Sequence, residues 1–228
     1  ADQMDLKVKL EQANLSILPM LTKEVSWASG ETKGEVTIGG TLDQPLINGG
    51  ILVRDGTVKL ASLKDPIQKV GVDIQFEGDK INVKSFDGSM GAGSYRLAGT
   101  AGLNGLALAD YNFLLVLDKL DVSHKYYNGP LNGTLALASS NGKPKLSGKL
   151  IFENTTANIP SIPEFASSDL DVGLDVEVLV QNKVRLYNPY LYDLWLEGRI
   201  KLAGTTLAPD VSGRLTAVRG SVDYLQTR

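Results

Sequence analysis

His124 is the only imidazole in the chain, and it follows Asp121-Val122-Ser123. Serine, histidine and aspartate are the types that make a nucleophile with its base and orienting acid, but such a triad is defined by geometry. Residues this close along a strand or loop do not reach that geometry, and no G-x-S-x-G elbow accompanies them. His124 reads as a surface side chain. Asp169, Asp171, Asp175 and Glu177 have the oxygen chemistry that holds Ca²⁺. Their spacing is not that of an EF-hand loop and it follows a regular alternation, so they read as a solvated outer face. Gly88-Ser89-Met90-Gly91-Ala92-Gly93 has the glycine content of a phosphate loop. It lacks the lysine and leads into a strand at Tyr95 and Leu97 rather than a helix, so it reads as a turn. Tyr187, Pro189, Tyr190, Tyr192 and Trp195 form the densest aromatic patch. Amphipathic rings favour interfaces, and packing in a core or at a sheet edge is the other reading. Asn14, Asn132 and Asn154 sit in N-x-S/T triplets, which are common by chance. No residue is given a catalytic or metal-binding role, and no cofactor is expected.

The elements that must carry these residues are strands. From Leu170 to Val180 every even position is apolar, and four of the five odd positions between them are polar or glycine. Val70, Val72, Ile74 and Phe76 alternate in the same way with Gly71, Asp73, Gln75 and Glu77. Successive strand side chains point to opposite faces, so this pattern describes a sheet with one apolar and one wet face. Asn48-Gly49, Asp55-Gly56, Gly78-Asp79, Asp87-Gly88, Asn104-Gly105, Asn128-Gly129, Asn132-Gly133 and Asn141-Gly142 have the chemistry of tight hairpin turns. Strand runs of about 5–8 residues between them are expected. One short helical stretch is expected around Ser16 to Val25, with Pro19 in its first turn. The fold class is all-β.

Composition narrows the function classes. The 228 residues are 43% apolar, too many for a disordered tail, and suit one long domain or two small ones. A formal charge of −3 lacks the positive excess of a nucleic-acid binder. With no cysteine there is no disulfide framework, thiol nucleophile or cysteine-ligated zinc. The longest wholly apolar run, Phe113 to Leu117, is far short of the roughly 20 residues of a membrane helix. No charged-then-apolar leader opens the chain, which reads as a soluble piece of something larger.

A repeat lies beneath the alternation. Three stretches superpose without a gap: Gly34 to Leu60, Gly133 to Ile159 and Gly198 to Tyr224. Each reads as a strand, a loop ending in proline (Pro45, Pro144, Pro209), a strand interrupted by glycine (Gly49, Gly148, Gly213), a turn and a strand. Proline has no N–H and belongs at a strand start or an edge. Glycine two residues past an apolar position marks a bulge or a sharp coil. Asp79 to Val83 corresponds loosely to Asn182 to Leu186, which extends the repeat to about 100 residues. The expected organisation is one repetitive unit over 1–228, with a lead-in segment 1–33 and sub-repeats 34–132 and 133–228.

The run G-x-φ-x-φ … P-x-φ-x-G-x-φ-x-φ, followed by Asp79 to Leu103, resembles the AsmA-like superfamily of bridge-like lipid-transfer proteins. Within it the chain is similar to the TamB family, and Gly198 to Tyr224 resembles the segment leading into that family's C-terminal domain. The resemblance covers essentially the whole chain. It implies a β-taco, a long sheet curled lengthwise into an open groove lined by aliphatics. It also implies the periplasmic part of an inner-membrane-anchored protein of a diderm bacterium. The implied role is a conduit along which phospholipid acyl chains move between the inner and outer membranes. The other role it implies is assisting outer-membrane protein assembly with a BamA-type barrel partner, for which an interaction module would add strands by β-augmentation.

The residues expected on the groove's inner face are Ile38, Val53, Val58, Val72, Ile74, Phe76, Ile81, Val83, Leu135, Leu137, Leu150, Phe152, Val172, Leu174, Val176, Leu194, Leu196, Ile200 and Leu202. An aliphatic lining with few fixed polar anchors suits sliding better than capture, because specific pockets add precisely placed polar groups. The same aliphatics packed against one another would instead make a β-sandwich core. A membrane barrel calls for strands of about 9–11 residues with aromatic girdles. A secreted parallel β-helix would show shorter repeats. Neither accounts for the P-x-φ-x-G step.

Overall fold

Period-two alternation makes almost every described residue part of a strand. The computed structural model describes residues 3–41, 44–105, 107–140, 142–158 and 171–222. In chain order the strands are β1 (Met4–Asn14), β2 (Val25–Gly40), β3 (Pro45–Leu60), β4 (Ile67–Gly78), β5 (Lys80–Met90), β6 (Gly93–Asn104), β7 (Ala107–His124), β8 (Tyr127–Ser140), β9 (Lys143–Phe152), β10 (Thr156–Ala157), β11 (Gly173–Asn188), β12 (Tyr192–Gly204) and β13 (Pro209–Val222). They form one all-β, elongated, curled sheet in which β1 to β8 follow in order, each beside the next. Asn14 caps a single 3₁₀ turn, Leu15–Ile17, through Oδ1 and the Ser16 N–H, and α1 (Leu18–Leu21) follows with Pro19 in its first turn.

β9 lies between β8 and β11 and runs antiparallel to the first and parallel to the second. The two-residue β10 continues that position along the same neighbours. The sheet is antiparallel except where β11 pairs with β9 and β10. Parallel neighbours cannot be joined by a hairpin, and the connection includes residues 159–170, outside the described residues. β1 and β13 each pair on one side only, so the described sheet is open rather than a closed barrel.

The strands are longer than the sequence suggested, from 10 residues in β9 to 18 in β7, the two-residue β10 apart. Several expected turns lie inside them. Asn48-Gly49 and Asp55-Gly56 belong to β3, Asp87-Gly88 to β5, and both Asn128-Gly129 and Asn132-Gly133 to β8. Gly78-Asp79 and Asn104-Gly105 do lie where strands meet turns. The glycines that stay in mid-strand let the backbone bend without leaving the ladder. Among non-glycine residues, Asp55, Lys69, Lys119, Asn154, Asn182 and Lys183 take φ between 47° and 63°. At or beside five of them the register shifts: between Val53 and Gly56, Gln68 and Gly71, Leu117 and Leu120, and Val180 and Val184. These bulges lie on β3, β4, β7 and β11, spread across the sheet. A bulge bends and twists its strand, so together they curl the sheet.

The gapless repeat is a hairpin of fixed register. Val36 faces Gly49, Leu135 faces Gly148 and Ile200 faces Gly213. Pro45, Pro144 and Pro209 stand at the equivalent places, opposite Gly40, Ser139 and Gly204. Beyond the hairpin the copies diverge. Asp79 to Val83 is a turn and the start of β5, whereas Asn182 to Leu186 lies inside β11. The 132/133 boundary falls within β8. The hairpin is therefore what recurs, and the loose correspondence that extended it to the larger unit has no structural counterpart.

Gly148 shows what the glycine is for. Its φ is +134°, and a Cβ there would lie 2.2 Å from the Thr134 carbonyl oxygen. Gly173 has an ordinary φ, and a Cβ would meet nothing closer than 3.5 Å. Gly148→Ala is expected to destabilise the fold by about 1–3 kcal/mol, the cost of a strained backbone site. Gly173→Ala should stay within about 0.5 kcal/mol of wild type. Urea titrations followed by circular dichroism measure both.

Candidate functional site: the apolar inner face

Cross-strand partners point to the same side of a sheet, so the register assigns every strand residue to a face. One unbroken row runs Ile51, Ile74, Val83, Gly99, Phe113, Leu137, Leu146, Leu174 across eight strands. A second runs Leu97, Leu115, Leu135, Gly148, Val176, Leu202. Traced in this manner, the predicted lining residues in strands all fall on one face. Ile38 pairs with Ile47, Phe76 with Ile81, Val53 with Val72, and Val58 with Ile67. Leu150 pairs with Val178 and Val178 with Ile200; Phe152 pairs with Val180, Leu196 with Val184 and Leu194 with Leu186. Val172 immediately precedes β11 and donates its N–H to Thr206 Oγ1 at 3.0 Å.

The buried apolar side chains among the described residues belong to this same face. Ala28, Val36, Val53, Val70, Val83, Met90, Ala101 and Leu117 lie along β2 to β7, and Val176, Val178, Val180 and Val184 along β11. Val176 is only 2% exposed, with Leu135, Leu146, Leu150, Phe152, Leu196, Ile200 and Leu202 packed around the β11 valines. That burial comes from neighbouring strands of one sheet. Side chains crowd one another on the inside of a bend, and the burial marks this face as the concave one. Among the described residues, no large side chain reaches full burial. The accessible surface is 14703 Å², whereas a compact protein of this length exposes roughly 10,000 Å². Toward the first and last strands the same face is open: Leu6 and Val211 are each 55% exposed.

The opposite face carries the charge. Lys145 and Lys201 flank Asp175, each at 3.2 Å, and Lys149 and Arg199 flank Glu177 at 3.7 and 3.0 Å. Lys7 meets Glu35 at 2.6 Å. Arg185 clamps Asp193 through two 2.7 Å hydrogen bonds, Nε to Oδ1 and Nη2 to Oδ2. Hydrogen bonds from their lysine and arginine partners hold the Asp175, Asp193 and Glu35 carboxyls below their usual range. Asp175 and Glu177 thus sit in ion pairs on the outer face; Asp169 lies outside the described residues.

The remaining sequence candidates separate. Ser123 pairs with Asn128 and His124 with Tyr127, so their side chains take opposite faces. His124 Nδ1 accepts from the Tyr126 N–H at 3.2 Å. Gly88 to Met90 are strand, leaving Gly91-Ala92 as the turn. The aromatic patch splits as well. On the outer face the Arg185 guanidinium lies 4.4 Å from the centre of Tyr187 and the Arg219 guanidinium 4.1 Å from that of Trp195. Tyr192 pairs with Asn188 on the inner face, and Tyr190 projects from the turn. Asn132 Oδ1 accepts from the Lys119 N–H at 2.7 Å, bracing that bulge.

Sequence reasoning passed over Phe113, Leu115 and Leu117, which share the inner face with Leu137, Leu135 and Gly133. The intervening Leu114 and Val116 are also apolar, so β7 gives no contrast between its faces. The available signal was partnership with the neighbouring alternating strand. Tyr95 joins the same face opposite Leu117 and packs edge-on against Phe86, ring centres 5.5 Å apart. Burial, with the charge of Asp87 nearby, pushes its hydroxyl up to about 12.

No family model, curated protein or solved structure matches this chain.

A phenol whose folded pKa is raised favours the folded state below its ordinary value of 10. That contribution disappears as pH climbs through the folded value. Stability is therefore expected to fall between about pH 10 and 12, and Tyr95→Phe to flatten that part of the profile. Urea midpoints at successive alkaline pH values test this; equal slopes in the two proteins would refute it.

Proposed function

We propose that this chain is a conduit for phospholipid acyl chains, part of a periplasmic bridge between the inner and outer membranes of a diderm bacterium. The observation that carries the reading is a continuous aliphatic face, concave and uncovered by a second layer among the described residues. Each CH₂ moved from water onto such a surface gains about 0.8 kcal/mol, so a fatty chain is held along its length while its headgroup stays in water. The lining offers similar aliphatic contact from one strand to the next, which favours movement along the groove over arrest at one point. The resemblance to the TamB family supports the same role and the inner-membrane-anchored location.

A second reading draws on β13, whose fourteen residues are all exposed and whose outer edge is unpaired among the described residues. A free edge accepts another strand by β-augmentation, and the partner would be an outer-membrane barrel of the BamA type. Mass spectrometry of the purified chain separates the two. Bound phospholipid or detergent supports the conduit, and a lipid-free chain that captures the barrel supports the interaction module.

Leu174→Asp is expected to keep the sheet by circular dichroism and to lower co-purified phospholipid about thirtyfold, because a carboxylate facing an acyl chain costs roughly 2 kcal/mol. Leu114→Asp, on the opposite face, should leave bound lipid unchanged. A folded Leu174→Asp protein with undiminished lipid would defeat the conduit reading.

A further inference from the structure

The connection between β3 and β4 reaches beyond its own hairpin. Leu63 forms an antiparallel bridge with His124, at the far end of β7, and the Lys64 N–H donates to the Ser123 carbonyl at 2.9 Å. Lys59 Nζ donates to the carbonyl oxygens of both Leu63 and Lys64. On the other side the Ala61 N–H donates to Glu24 O at 2.9 Å. β4, β5 and β6 stop short of this level: Gln68 faces Ser89, Ser89 faces Ser94, and Ser94 faces Asp118. The ends of β3 and β7 therefore meet past the β5–β6 turn.

A flat sheet does not allow that meeting. Four strand spacings separate β3 from β7, about 19 Å. The three residues from Leu60 to Leu63 span at most roughly 11 Å, and one pairing adds about 5 Å. The contact closes only if the sheet bends by the missing 3 Å or so. The crowding beneath it agrees. A Cβ on Gly91 would lie 2.5 Å from Asp121 Cβ, and one on Gly93 would overlap the Lys119 carbonyl. Met90, on the inner face of that hairpin end, is 3% exposed.

We infer that the β3–β4 connector is a clip that holds the groove bent over β4 to β7 and thereby sets the width available there. Lys59 is its fastening: the ammonium gathers two carbonyls and presents the Lys64 N–H toward β7. The ladders on either side contain many hydrogen bonds, whereas the clip rests on one bridge, one backbone bond and one lysine. It is the part of the curl that a single substitution can release. The bend itself stands independently of any cargo; its effect on cargo rests on the conduit reading above.

The chain has no cysteine, so spin labels can be placed at Ala61→Cys and Asp121→Cys without further substitution. Both positions are exposed. Double electron–electron resonance should give one narrow distance in the otherwise wild-type chain. Adding Lys59→Met, which keeps the aliphatic stem, or Lys64→Pro, which removes the N–H, should lengthen it by about 3 Å and broaden it. Circular dichroism and the urea midpoint confirm that each variant is folded. An unchanged distance in both folded variants overturns the clip. Bound phospholipid per chain is measured on the same samples. Lipid present in every variant with no change in distance defeats the clip and leaves the conduit standing. A longer distance in chains that never carry lipid supports the clip and counts against the conduit.

Discussion

A single-layer sheet can remove from water only the face it curls around, and the structure depends on that constraint. The buried apolar side chains of this one sheet share one side, and no second layer of described residues covers it. Curling brings neighbouring side chains together until the β11 valines are almost wholly enclosed, while the ends of the same face remain open. The outcome lies between a sandwich core and an exposed patch: stabilising burial at the bottom of the bend, solvent-facing aliphatic surface above it. Stability and an exposed aliphatic surface come from the same residues.

Three features produce the curl. Glycines with positive φ at matched hairpin positions remove the Cβ where one strand closes on its neighbour's carbonyl. Bulges in β3, β4, β7 and β11 bend the sheet at several points across its width. The β3–β4 connector then fixes the bend where β4 to β6 are short. Charge has a separate part. The lysine–carboxylate–lysine and lysine–carboxylate–arginine groups across β9, β11 and β12 lie on the convex side. They tie the parallel pair to its antiparallel neighbour without placing a charge in the groove. Exposed pairs of this kind contribute little individually; their larger effect is to keep the outer face wet and make the reverse register unfavourable.

The proposed role rests on the contacts this arrangement offers a ligand. The two rows traced across the inner face hold only aliphatic residues, glycine and Phe113, and Tyr95, on the same face, is desolvated against Phe86. A fatty chain would meet aliphatic contact from strand to strand, with little to prefer one position over another. That suits transfer, whereas a site built to retain one small molecule needs polar anchors. The free edges at β1 and β13 allow the sheet to be extended by further strands.

The sequence alone determined the all-β class, the division into two faces and, for the alternating strands, which residues belong to the inner one. Alternation at period two is a local property, and each strand carries it whatever its neighbours do. It also determined the hairpin repeat, because proline and glycine requirements are set within a few residues of backbone. Only the tertiary structure decided that Asn48-Gly49, Asp87-Gly88 and Asn132-Gly133 bend strands instead of ending them. An Asn-Gly pair permits positive φ equally in a turn and in a bulge, and the partner strand selects between them. The same holds for the parallel seating of β11 beside β9, for the inward place of Phe113, Leu115 and Leu117, and for the contact between Leu63 and His124. Each depends on which strands become neighbours, and long-range pairing leaves no periodic mark in the chain.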